Sequence, residues 1–212
     1  MAANPDAWEL HFADETHVET NPRLYRVWHR VGTQPEVPAA ATNRRLTVFG
    51  STEALGRGRV EVVQARQDSA GFERYLEALD ARHAATGRRV LLALDNGGCH
   101  TSTASRAALA ARSAWLEVLW LARYSPELNP KEHEWRRLKR DHASQLAPTL
   151  REFAARVVAG LRGLGGDRLD VVDAVPEWWL AGRRKPPTGR PPGRPVGAKD
   201  SSPRRRNLPA CT

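Results

Sequence analysis

With 212 residues, 41% of them apolar and 27% charged, the chain is long enough for one domain with a core of ordinary size, and most of it reads as globular. Its longest apolar runs, such as Val90 to Leu94, are too short for a membrane span, and MAANPDAWEL has no basic stretch leading into an apolar one, so no signal peptide is expected. Two cysteines, Cys99 and Cys211, argue against a disulfide framework and for a reducing cytoplasm, and nine of the 33 basic residues behind the net charge of +9 lie from Arg183 onward.

In chain order, residues 8–14 (WELHFAD), 24–31 (LYRVWHRV), 45–52 (RLTVFGST) and 59–65 (RVEVVQA) read as strands. Each is rich in β-branched or aromatic residues and lies between Gly, Pro or Asn clusters. Phe72, Tyr75, Leu76 and Leu79 recur at helical spacing and predict a helix over about 70–85. The continuous apolar run of RRVLLALD suits a strand buried on both faces, ending at Asp95. A helix over about 102–112 and a strand LEVLWLA at 116–122 follow. Asn129 can N-cap a helix whose first position is Pro130, and Thr149 with Glu152 forms a capping-box pattern before another. Seven of the fifteen prolines lie beyond Arg183. That shift sets a domain boundary near residue 182, with a basic Pro/Arg/Gly-rich disordered tail at 183–212. An antiparallel meander followed by α/β units predicts an α/β fold, a mixed sheet flanked by helices, an order found in RNase H-like proteins that periodicity alone also allows to other three-layer α/β folds.

Three groups of acids stand out. Asp95 opens Asp95-Asn96-Gly97-Gly98-Cys99-His100 where a buried strand gives way to a loop. Strand ends gather ligands in α/β sheets, but Asp-Asn and Gly-Gly also make ordinary turns, and both readings stand. Glu132 sits in the first turn of the helix after Tyr124-Ser125-Pro126-Glu127-Leu128-Asn129-Pro130, where capping alone accounts for an acid. Arg136 and Lys139 share its face. Asp14 and Glu15 close the first strand. Taken together, three separated acids could form an oxygen-donor cluster for divalent cations of the kind that drives phosphoryl displacement. No phosphate-binding loop, GxSxG elbow, HExxH or zinc pattern competes.

The stretch from LLALDNGGCH through YSPELNPKEHEWRRLKR resembles the catalytic core of DDE transposases of the mariner superfamily, bacterial insertion-sequence branch. Asp95, Asn96 and His100 match its Asp-Asn-x-x-x-His; Tyr124 to Pro130 with Glu132 and Trp135 match Tyr-Ser-Pro-x-Leu-Asn-Pro-x-Glu-x-x-Trp; FADETH matches its first catalytic segment. The resemblance covers roughly residues 8–165. It implies an RNase H-like fold, an endonuclease and DNA strand transferase acting at TA targets, and Asp14, Asp95 and Glu132 as catalytic and metal-binding residues for two Mg²⁺ or Mn²⁺ ions. Glu15, Glu127 and Glu134 are rivals by proximity; Asn96 and His100 would be auxiliary. Arg136, Lys139 and Arg140 would hold DNA phosphates. In the tail, Gly189-Arg190-Pro191 and Gly193-Arg194-Pro195 resemble the core of minor-groove AT-hooks, so Arg190 and Arg194 join the DNA-binding candidates; out-of-frame translation is the rival reading of that segment. Family members carry helix-turn-helix modules upstream, and none is expected within this sequence. A separate helix-turn-helix partner, a homodimer and a cytoplasmic, nucleoid-associated location are therefore expected, and an inactive relic that binds DNA only through its tail is the alternative.

Overall fold

The computed structural model describes residues 7–21, 28–33, 36, 38–40, 43–54, 58–122, 129–141, 146–165 and 169–183. Three strands, β1 (Trp8–Glu19), β2 (Arg45–Glu53) and β3 (Arg59–Gln64), pair in turn as an antiparallel meander. Helix α1 (Ser69–Thr86) returns the chain to β4 (Arg89–Leu94), which lies parallel to β1. Asp68 caps α1 by accepting from the Gly71 N–H, and Gly87 ends it in the left-handed region at φ 67°. The short helices α2 (Gly98–Thr101) and α3 (Thr103–Ala110) lead to β5 (Leu116–Trp120), parallel to β4. Then come α4 (Lys131–Asp141), α5 (Leu150–Gly163), β6 (Leu169–Asp173) parallel to β3, and α6 (Glu177–Leu180). The sheet order is β5-β4-β1-β2-β3-β6.

Two apolar clusters sandwich this mixed sheet. Phe49, Val60, Val62, Leu92 and Leu94 face Phe72, Leu76 and Leu79 of α1. Leu46, Val48 and Val63 face Trp135 and Leu138 of α4 and Phe153, Val157 and Leu161 of α5. Strand β1 changes its covered side halfway. Glu9, His11 and Ala13 are buried in its first half, Thr16 and Val18 in its second. Strand side chains alternate sides, so the shift from odd to even positions moves the buried face from the α1 layer to the α4–α5 layer. The crossover falls at Asp14 and Glu15, which are half-buried on opposite sides.

The fold is the RNase H-like layout expected, with four differences of detail. Strand β1 runs on to Glu19, so Asp14 lies inside a strand instead of closing one. Residues 28–31 of the expected second strand form no strand; Trp28 and Val31 are fully exposed, and residues 24–27 lie outside the described residues. The helix expected over 102–112 is α3, capped by the Ser102 hydroxyl at the Ser105 N–H, and the short α2 before it was not anticipated. Strand β6 and helix α6 were not anticipated. The tail from residue 184 lies outside the described residues.

Candidate active site

The parallel register of β1 on β4 brings the first two acids together. Phe12 pairs with Ala93, so two residues further on Asp14 stands beside Asp95, just past the end of β4. Neighbouring strands lie about 4.8 Å apart, which puts the two carboxylates in one neighbourhood. In the antiparallel register Asp14 pairs with Gly50 of β2. A Cβ on Gly50 would come within 2.7 Å of the Trp135 ring and overlap the Glu61 carboxylate, so only glycine lets α4 settle here.

Helix α4 brings the third acid. Of its eleven residues only Trp135 and Leu138 add buried apolar side chains. At about 1.5–3 kcal/mol each they fall short of the ordering entropy of such a segment, about 1–2 kcal/mol per residue, so polar anchors matter. Asn129 supplies two: its Oδ1 accepts from the Lys131 N–H (3.1 Å) and its Nδ2 donates to the Ala13 carbonyl (2.9 Å), tying the helix start to β1. Lys131 is fully buried and donates to Glu61 Oε1 (2.5 Å), Glu134 Oε2 (2.7 Å) and Thr52 Oγ1 (3.0 Å). Arg59 completes the cluster through Glu61 (2.7 Å) and Glu134 (3.0 Å). Burial drives the Glu61 carboxyl up against the pull of Lys131 and Arg59. It works the same way on Glu134, where Lys131, Thr52 and Arg59 win and hold the group low. Glu134 is thus a structural acid clamped to the sheet. Glu132 is half-buried beside it.

Asp14 is in a different position. Trp135 Nε1 donates to its Oδ2 (3.0 Å), which fixes the carboxylate with a neutral donor. Burial, then the neighbouring charge of Glu15, then Asp95 and Glu132, push its pKa up to about 6. Asp14 therefore feels both other acids of the expected triad. Among the described residues no cation pairs with Asp14 or Glu132.

Asp95 is held from behind. Its Oδ1 accepts from the Gly97 N–H (2.9 Å) and from His100 Nδ1 (2.9 Å), and the His100 bond is the larger cause of a pKa below the usual carboxylate range. The other ring nitrogen of His100 meets Glu15 Oε1 at 2.5 Å. Burial works against charging the imidazole, but Asp95, Cys99 and Glu15 outweigh it and push the pKa up to about 12. Asn96 is occupied elsewhere: its Nδ2 donates to the Leu121 carbonyl (2.9 Å) and closes the loop onto the end of β5. Arg136 and Arg140 are exposed on α4, Arg136 resting against His133, and Lys139 is half-buried. Glu127, Arg190 and Arg194 lie outside the described residues.

The residues legible in sequence thus stand with three that were not, Lys131, Glu61 and Arg59, and with Glu15, named there only as a rival by proximity. Trp135, a motif residue in the sequence, is buried in the core, and its indole N–H also seats Asp14. Asn129 was expected only as a cap and is also a strand anchor.

An RNase H-like sheet with acids on β1, just past the end of the adjacent β4 and at one helix start defines the broad class, an α/β protein with a cluster of carboxylates. The family model described as "DDE superfamily endonuclease" matches residues 9–154, and the chain belongs to that family. Among solved structures it is similar to the Mos1 transposase paired-end complex with left transposon end (18% identity, TM-score 0.54, covering 73% of this chain and 52% of that one). It is also similar to the Mos1 mariner paired end complex with Mn (17%, TM-score 0.55, 82% and 48%) and to the Mos1 Strand Transfer Complex (20%, TM-score 0.53, 82% and 48%). At these identities the likeness is one of fold, and the chain spans about half the length of the structures it matches. No curated protein matches it.

Proposed function

We propose that this chain is the catalytic part of a DNA transposase, a metal-dependent endonuclease and strand transferase whose site is Asp14, Asp95 and Glu132. One observation carries the reading: Asp14 sits half-buried among Glu15, Asp95 and Glu132 with its pKa pushed up to about 6 and no described cation opposite it. A folded protein keeps such repulsion where something else neutralises it, and the hard oxygen donors suit Mg²⁺ or Mn²⁺. The resemblance implies two ions. Bound there, they would supply the positive charge that activates the attacking oxygen and steadies the leaving one.

The chain's own residues do the rest. Trp135 Nε1 fixes Asp14, Gly97 N–H and His100 fix Asp95, and the Lys131 cluster fixes the helix that carries Glu132. Arg136 and Arg140 offer exposed guanidinium groups to backbone phosphates, with Lys139 further along the helix. Water displaces the 3′ oxygen of one phosphodiester bond, which leaves a 5′ phosphate and a free 3′-hydroxyl. That hydroxyl then attacks a target phosphodiester, for which the resemblance implies TA. The basic tail at 183–212, Arg190 and Arg194 included, would form a segment separate from the 1–182 catalytic domain and add affinity without sequence reading. Specific recognition of element ends would come from a helix-turn-helix partner, because phosphate contacts carry no base information directly. A homodimer and residence at cytoplasmic DNA belong to the same reading; no helix among the described residues is long and apolar enough to cross a membrane.

Nicking of supercoiled plasmid in Mn²⁺ is the test. Asp95→Asn and Glu132→Gln should abolish it while circular dichroism stays unchanged. Wild-type nicking by either variant would remove that residue from the mechanism.

A further inference from the structure

Glu15 follows Asp14 directly and points to the opposite side of β1, toward α1 and α2. Its side chain is only 6% exposed. Oε1 accepts from Cys99 Sγ (3.3 Å) and meets Nε2 of His100 (2.5 Å). The imidazole cannot swing away, because its ring packs on Phe72 with centroids 4.7 Å apart. Its Nδ1 then reaches Asp95 Oδ1. The Asp95 carboxylate is 56% exposed on a loop, and apart from Gly97 N–H this imidazole is the side of it that the protein holds. The chain of contacts therefore runs from a buried carboxylate on the central strand, through a locked ring, to an exposed carboxylate whose direction would otherwise be free. Glu15, Cys99 and His100 also place ligand-type atoms within 4.8 Å of one another, and those atoms are already engaged with each other.

We propose that Glu15 is a positioning residue for Asp95, acting through His100. It is not a rival metal ligand; it sets the angle at which Asp95 presents its oxygens. The proposal rests on Asp95 being a metal ligand. Partners behind a ligand commonly govern about 10–100-fold of metal affinity, which sets the expected size of the effect.

The measurement is calorimetric titration of the full chain with Mn²⁺ alone, without DNA, with melting temperature recorded for each variant. Asp95→Ala should lose Mn²⁺ binding. Glu15→Leu keeps the volume and removes the acceptor; it should remain folded and bind Mn²⁺ about 10-fold more weakly or worse. Glu15→Ala is the second variant if leucine does not pack. Glu15→Gln keeps an oxygen facing His100 and should stay within about threefold of wild type. If Asp95→Ala binds like wild type, the metal-site reading itself fails. If Asp95→Ala loses binding while folded Glu15→Leu retains it, only the positioning role is overturned. Glu15→Gln as weak as Glu15→Leu would overturn it too, because glutamine preserves the acceptor.

Discussion

Helix α4 presents two regions of charge that obey opposite rules. On its inner side Lys131, Glu61, Arg59 and Glu134 are packed so that each charge touches one of opposite sign. On β1 beside it, Asp14 feels Glu15, Asp95 and Glu132, with only neutral N–H donors, the Trp135 indole and the Glu15 backbone, on its own carboxylate. The first arrangement is what a buried ion group needs to persist at all. The second lowers stability and makes sense where an added cation completes it. On the proposed reading, compensation versus its absence separates the structural charges from the metal-binding ones, although Lys131, Glu132 and Glu134 share one helix.

Breaking the compensated region should have the largest effect. Lys131→Met leaves the Glu61 carboxylate buried beside Arg59 alone and should cost about 3–5 kcal/mol in urea unfolding. Adding Glu61→Leu should recover a large part of that loss, since the stranded charge goes with it. A double variant no better than the single one would show that the cluster is not what clips α4 to the sheet.

A second compensated group, further from the site, gives a pH signature. Arg82 donates to both oxygens of Glu9 (2.7 and 3.2 Å), and His11 lies at 3.2 Å. Burial would raise the Glu9 pKa, but these partners hold it down to about 2, against 4.5 in an unfolded chain. A depressed carboxyl stabilises the fold above the unfolded value, and the contribution fades as pH falls from about 4.5 toward 2. The full difference corresponds to about 3 kcal/mol at roughly 1.4 kcal/mol per unit. Glu9→Gln should flatten the acid limb of a stability–pH curve in that window; an unaltered limb would assign it to other carboxyls.

The uncompensated region should respond with the opposite sign and a smaller size. The folded-state pKa of Asp14 is raised, so the fold favours the protonated carboxyl and loses stability as pH climbs from about 4 to 6. At pH 7.5 in EDTA, Asp14→Asn should therefore be more stable than wild type by about 1–3 kcal/mol while plasmid nicking disappears. Asparagine can still accept from Trp135. Destabilisation by this substitution would mean that the acids are held by a compensation not evident in the described residues.

Much of this was legible in sequence, for reasons that also explain the gaps. The apolar run before Asp95 and the Asn129-Pro130 helix start each rest on local chemistry, and both stand in the structure. Residues 28–31 come from a segment of strand composition, yet propensity needs an edge to pair with, and both edges of β1 are taken by β2 and β4. DETHVE looks like polar loop, but it pairs with residues 45–50 of β2 and becomes the second half of β1. The five residues of β6 offer a short, half-exposed pattern that only the edge of β3 turns into a strand. Lys131 and Glu61 are 70 positions apart, so their contact is a product of register that no local pattern announces. Glu15 was seen only as a neighbour of Asp14; what distinguishes the two is the face of the strand each occupies.

The central claim is that Asp14, Asp95 and Glu132 form one metal centre. Anomalous diffraction from crystals of the chain soaked in Mn²⁺ tests it most directly. The account predicts manganese peaks among these three carboxylates, with Glu15 and His100 behind Asp95 and outside the coordination sphere. Manganese bound at Glu15, Cys99 and His100 instead, or no peak within coordination distance of Asp14 and Asp95, would contradict it.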